Sequence, residues 1–243
     1  MHSLKQSNRF LPILLSCLFL LGTFTADAQR KKKKEEKKEE APKAWEANQS
    51  MVSMLNFRSI GPAAYSGRIS DLAVNPENPS EYYVGVASGG LWKTENHGTT
   101  FKPIFDNQAV YSIGCLAMDP NNSNVVWVGT GENNSQRNLA YGDGVYKTTD
   151  GGKTFTNMGL KTSRQIGKIM IDPRNSNTVY VAAQGQAWGS GGERGLYKTI
   201  DGGKNWERVL YVSEVTGISD MEMDPRNPDI LYAVAHQRER RVF

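Results

Sequence analysis

Cysteine is almost missing from this chain. Only Cys17 and Cys115 carry thiols among its 243 residues, and Cys17 lies in an N-terminal leader. One remaining cysteine forms no intramolecular disulfide, so stability must come from burial. Cys115 sits in the apolar run "IGCLAM" with no histidine near it, which reads as a buried structural thiol and not a nucleophile. Histidine is as scarce, with His97 and His236 alone beyond the leader. Glu132 and Asp143 lack a metal-type spacing, so no metal site and no cofactor are expected. No long apolar run follows Phe24, so no transmembrane segment is expected after leader cleavage. Net charge is missing from the body. Residues 1–43 carry ten basic and five acidic residues, and residues 44–243 carry 19 and 20. That balance leaves no basic stripe on the fold and excludes a nucleic-acid partner.

The leader has three parts. Lys5 and Arg9 are basic, Phe10–Phe24 is apolar, and Ala26-Asp27-Ala28 offers small residues at the cleavage positions. Residues 1–28 therefore read as a signal peptide cut after Ala28, which places the product outside the cell or in the cell envelope. The run is short for a membrane anchor. Leu14-Leu15-Ser16-Cys17 loosely fits a lipoprotein signal, but the apolar run continues past Cys17. Residues 29–50 form a charged spacer. In "RKKKKEEKKEEAPK" acids interleave with bases, which favours a solvated segment over a basic arm for a membrane or polyanion.

What the chain does have is repetition. "KTENHGTTF" (93–101), "KTTDGGKTF" (147–155) and "KTIDGGKNW" (198–206) spell one turn three times, about fifty residues apart. Each unit opens with an apolar stretch ending in Asn/Asp-Pro: "RISDLAVNP", "SIGCLAMDP", "QIGKIMIDP", "GISDMEMDP". An aromatic-led strand follows from Tyr83, Trp127, Tyr180 or Tyr232. Third strands "GLWKT", "GVYKT" and "GLYKT" lead into the turn, and "TFKPI", "TFTNM" and "NWERV" close the first three units. Four short strands with turn chemistry between them, repeated at this period, predict an all-β β-propeller of four-stranded antiparallel blades.

In the repeated turn a hydroxyl (Thr94, Thr148, Thr199) precedes an Asn or Asp (Asn96, Asp150, Asp201) by two residues. The Asn/Asp side chain can accept backbone N–H groups of its own turn. Gly98, Gly152 and Gly203 permit positive φ. Phe101, Phe155 and Trp206 are expected to begin the outer strand and pack back under the turn. The pattern resembles the Asp-box of sialidase-type repeats. That resemblance implies a structural turn between third and fourth strands, away from the ligand face. Residues 57–243 more widely resemble sortilin-like propellers, secreted bacterial repeat proteins of glycosyl-hydrolase type, xyloglucanases and photosystem assembly factors.

The blades are expected at about 66–105, 111–158, 164–210 and a truncated 216–243, within a domain spanning 51–243. A propeller closes its ring, so about three and a half blades imply the N-terminal part of a larger protein, with a missing C-terminal part supplying the remaining blades. "MLNFRSI" (54–60) then reads as a strand reserved for the last blade.

Alternating strands place the first-to-second loops and the Asp-boxes on one face. Irregular loops gather on the other: "GENNSQRNLAYGD" (131–143), "QGQAWGSGGER" (184–194) and "HQRERR" from His236. Variable loops on a regular frame are where binding concentrates. Tyr65, Arg68, Arg137, Tyr141, Trp188, Arg194 and His236 are the candidate ligand-binding residues, with Trp188 and Tyr141 suited to stack on a sugar ring or an aromatic peptide side chain. Trp188 as a plug against the next blade, Arg68–Asp71 as a buried pair and Glu193–Arg194 as a surface pair are the structural alternatives.

Hydrolysing a glycoside takes two carboxyl groups, and Glu132 with Asp143 or Glu193 are the candidates. Two departures from enzyme patterns are visible. Where related xyloglucanases carry a catalytic aspartate after the second strand, this chain has Ala87-Ser88-Gly89-Gly90. Phe57-Arg58-Ser59-Ile60-Gly61-Pro62 has an extra spacing relative to the sialidase entry. The sequence thus reads first as a secreted module holding a peptide or carbohydrate on the funnel face. A glycoside hydrolase is the alternative, and an assembly propeller a further one.

Overall fold

A computed structural model describes residues 67–134 and 139–241. The leader, the charged spacer, the 54–60 stretch, Tyr65 and Arg137 lie outside the described residues. All described residues belong to one unit, Ser59–Phe243.

The architecture is all-β. The first sheet orders β1 (Ile69–Val74), β2 (Tyr82–Val86), β3 (Gly90–Thr94) and β4 (Lys102–Pro103) side by side. The second repeats this with β5 (Ile113–Asp119), β6 (Asn122–Thr130), β7 (Val145–Thr148) and β8 (Thr156–Asn157). The third has β9 (Ile166–Ile171), β10 (Val179–Ala183), β11 (Gly195–Thr199) and β12 (Glu207–Leu210). A two-stranded sheet of β13 (Thr216–Met223) and β14 (Leu231–Gln237) follows. Every pairing is antiparallel. The first strands of neighbouring sheets touch one another, β1 with β5, β5 with β9 and β9 with β13, so they converge on the inner side. The chain is a partial β-propeller.

Central strands read as unbroken apolar runs because sheets cover both of their faces. Val125–Thr130 of β6 is buried throughout. The core accordingly forms as slabs between sheets. Tyr83, Leu91, Phe105, Ile113 and Val128 fill the first, Cys115, Trp127, Ile166 and Val181 the second, and Ala182, Leu196, Ile218 and Met221 the third. Inner strands approach closely. A Cβ on Gly129 would stand 2.5 Å from Cys115 Sγ and 2.6 Å from an Ile166 methyl. Burial pushes the Cys115 thiol well above its usual range, which keeps it protonated and inert.

The three repeated turns have one geometry. Thr148 Oγ1 donates to Asp150 Oδ1 at 2.7 Å and accepts the Gly152 amide at 3.0 Å. Asp150 Oδ1 accepts the amides of Lys153 and Thr154 at 3.0 and 2.9 Å, and Oδ2 accepts the Thr154 hydroxyl at 2.6 Å. Thr199 and Asp201 repeat this with Gly203, Lys204 and Asn205. In the first sheet Asn96 accepts the Thr100 amide and donates to the Thr100 hydroxyl, both at 2.9 Å. Two successive positive-φ residues form each turn, Gly151–Gly152, Gly202–Gly203 and His97–Gly98, so blade one carries a side chain in the left-handed region at φ 55.

The second and third turns also dock on the preceding sheet. Lys93 Nζ lies 5.3 Å from the Tyr83 ring centre and donates to Gly151 O at 3.2 Å. Lys147 Nζ lies 4.7 Å from the Trp127 ring centre and donates to Gly202 O at 3.4 Å. The aromatics after the turn reach back the same way. Phe155 packs edge-on against Phe105, and Trp206 Nε1 donates to Met158 O at 2.7 Å. Phe101, Phe155 and Trp206 were expected to begin the outer strands. Each stands one residue ahead of its strand; the Phe155 and Trp206 rings are partly buried against the preceding sheet, while Phe101 is 42% exposed and packs on Tyr82 of its own sheet.

Both outer flanks of the described sheets are apolar. Ile69, Leu72, Tyr82, Val84, Trp92 and Phe101 line an open cleft on the first sheet, with Ile69 63% exposed. On β14, Tyr232 is 64% exposed.

Candidate functional site

The two rims of the sheets are chemically different. On the turn rim, loops are joined by short polar contacts: Ser176 Oγ donates to Asp119 at 2.9 Å, and Arg174 bridges Asp172 and Asp229 at 2.7 Å each. That rim is occupied by its own turn chemistry.

On the opposite rim a repeated backbone joint anchors the irregular loops. The residue after each second strand donates to the residue ahead of the first strand: Ala87 N to Arg68 O, Gly131 N to Ser112 O, Gln184 N to Gln165 O. Arg68, Ser112 and Gln165 therefore share one repeat position at the inner end. Ser112 Oγ shares its one hydrogen between Ala87 O at 2.7 Å and, more weakly, Ala140 O at 3.3 Å, tying three segments. Gly142 N donates to Arg164 O at 2.8 Å, which carries the 139–143 loop onto the third sheet. The segment after β14 crosses this rim. Arg238 donates to Asn133 O at 2.9 Å, Asn134 O at 3.0 Å and the Gln184 side-chain oxygen. Arg240 N donates to Ala187 O at 2.7 Å.

Each of the three candidate carboxylates has a contact within the protein. Glu132 is fully buried, and the Arg68 guanidinium lies against its Oε1. Asp143 Oδ2 accepts the Tyr146 hydroxyl at 2.7 Å. Glu193 Oε2 accepts the Thr162 amide and hydroxyl at 2.8 and 2.9 Å. Two expected pairs are replaced. Arg68 joins Glu132 and not Asp71, because Asp71 Oδ2 is taken by the Leu116 amide at 2.8 Å. Glu193 and Arg194 are not partnered with each other. Arg194 is 1% exposed and donates to the carbonyls of Gln184, Gln186, Gly189 and Gly191, so it holds its own loop and does not reach for a ligand. Burial draws its guanidinium pKa down, against an opposing pull from Glu239.

Two aromatic rings remain available. Trp188 is 40% exposed with the Arg240 guanidinium 5.7 Å from its ring centre. Tyr141 is 42% exposed with Arg164 at the same distance. His236 is exposed on β14, opposite Gly217. Sequence reasoning missed Gln165, Gln184 and Arg238. Gln165 was legible in principle, since aligning the repeats puts it in register with Arg68. Arg238 had no such signal. Among the described residues no group of His, Cys, Asp and Glu could hold a metal ion, and no helix is long and apolar enough to cross a membrane.

No family model matches the chain. A probable oligoxyloglucan-reducing end-specific xyloglucanase of Neosartorya fischeri is 28% identical over 57% of this chain and 17% of its own length. A xyloglucanase of Hypocrea jecorina is 27% identical over 49% of this chain and 15% of its own. Among solved structures, an ancestral GH74 enzyme superposes with TM-score 0.57 at 25% identity, over 72% of this chain and 23% of that one. The GH74 xyloglucanase of Xanthomonas campestris gives TM-score 0.50 at 17% identity over 73% and 28%. The chain thus matches less than a third of the length of each of these proteins. It is a partial β-propeller of glycosyl-hydrolase-like architecture.

Proposed function

We propose that this chain is the glycan-recognising part of an extracellular β-propeller protein, and that it binds a glucan chain of the xyloglucan class on its irregular rim. The observation that carries this is the pair of half-exposed rings, Trp188 and Tyr141, on loops of neighbouring sheets. Each has a guanidinium over the ring, and each side chain remains partly exposed. A sugar ring presents apolar C–H faces, and a fixed aromatic surface suits it. The relatives' names supply the substrate class. In this reading residues 1–28 are a secretory leader, and the three repeated turns are structural Asp-boxes.

Hydrolysis is the second reading, favoured by the same relatives. Its two carboxyl groups stand roughly 5–10 Å apart across the scissile bond. One carboxylate oxygen each of Glu132, Asp143 and Glu193 is engaged by a protein group, and Glu132 is fully buried. Binding by the described residues is therefore preferred to catalysis by them.

Calorimetric titration of the full chain with xyloglucan oligosaccharides tests the reading. Trp188→Ala and Tyr141→Ala should each weaken binding about tenfold, the effect of removing one stacking platform worth ~1.4 kcal/mol. Affinity unchanged in both variants, or turnover of the polysaccharide that depends on Glu132, would sink it.

A further inference from the structure

We infer that the inner end of the irregular rim carries a sugar-hydroxyl subsite, formed by Gln165, Glu132 and Arg68, which takes a vicinal diol of a pyranose ring. This rests on the glycan reading above and gives it a second, polar contact point.

Gln165 is fully buried, and neither its Oε1 nor its Nε2 has a hydrogen-bond partner. Glu132 is fully buried too. Arg68 covers Oε1, and Oε2 has no partner. Such groups carry their full desolvation cost, and most buried polar side chains are satisfied. Two of them on contacting segments are therefore informative. The segments do touch: a Cβ on Gly131 would collide with the Arg164 carbonyl and stand 2.9 Å from Gln165 Cα. The neighbouring groups are spoken for. Ser112 is committed to two carbonyls, and Gln184 Oε1 to Arg238. Arg68, with 42% of its side chain exposed, is the cover on the solvent side.

The unused capacity is mixed. Glu132 Oε2 accepts, Gln165 offers one acceptor and two donors, and Arg68 donates. A phosphate or carboxylate would meet the Glu132 charge, and a cation would meet Arg68. A hydroxyl both donates and accepts, so two adjacent sugar hydroxyls satisfy carboxylate and amide together. Arg68 turns aside on its exposed stem as the ring enters.

Gln165→Met keeps the side-chain length and removes its polarity. In the full chain it should leave Tm unchanged or raised, because an unsatisfied buried amide is lost. It should weaken xyloglucan-oligosaccharide binding about tenfold or more, as expected for a site that hydrogen-bonds a hydroxyl. Glu132→Gln, which keeps shape and removes charge, should weaken binding similarly, and it decides the matter if the first variant melts early. Unaltered affinity in both variants overturns the subsite and leaves the stacking reading standing. A parent chain that binds no oligosaccharide overturns both.

Discussion

Asp150 and Asp201 show how a side chain can matter through its own turn alone. Bonds from the Thr154 side chain and amide, then the Thr148 hydroxyl, hold the Asp150 carboxyl far below the usual range. Asn205 and Thr199 do the same for Asp201. A carboxyl whose folded pKa is depressed contributes stability above its unfolded pKa of about 3.9, and that contribution drains away as pH falls through the window beneath. Asn96 shows that an amide can fill the position without titrating. The double variant Asp150→Asn, Asp201→Asn should therefore melt somewhat below the parent at neutral pH. It should lose less Tm than the parent between about pH 5 and about pH 2. Thermal unfolding across that range checks it, and parallel pH profiles would refute it. These turns were legible because every partner lies within four residues. The Arg68–Glu132 contact was not, because its two halves come from different repeats and only folding joins them.

At the scale of the strand, apolar stretches and Asn/Asp-Pro punctuation were enough to find four strands in each of the first three repeats. They overstated the outer ones. β4 and β8 are two residues long, and β12 has four. The joint between sheets was invisible in the sequence, although the Lys-Thr dipeptide recurs in all three third strands. Lys147 stacks on Trp127 and reaches Gly202 in the next turn. Its pKa is lowered chiefly by burial, so its contact with the ring is partly desolvated. Lys147→Met keeps the stem and removes the ammonium. It should cost about 1 kcal/mol in urea unfolding. A double-mutant cycle with Trp127→Leu should show positive coupling, whereas additive losses would dismiss the joint.

For the molecule as a whole, repetition made the fold readable, because one misjudged strand is outvoted by its copies. The irregular rim is where copies differ, and there the sequence could supply candidates but not partners. The flanks are the other whole-molecule feature. Leu72 is 52% exposed and Val234 57%, each within an apolar strip on an outer sheet face. The 243-residue chain should accordingly associate as its concentration rises, and Leu72→Lys with Val234→Lys should keep it dispersed in light scattering. Equal scattering from both proteins would count against the flanks as the cause. The docking of the second and third turns onto the sheet before each has one more consequence. Both bond sets are closed between two adjacent copies and involve no third, so a repeat can be duplicated or deleted without these turn joints having to be reinvented. Change in blade number asks only for a new curvature, while the opposite rim stays free to diverge copy by copy.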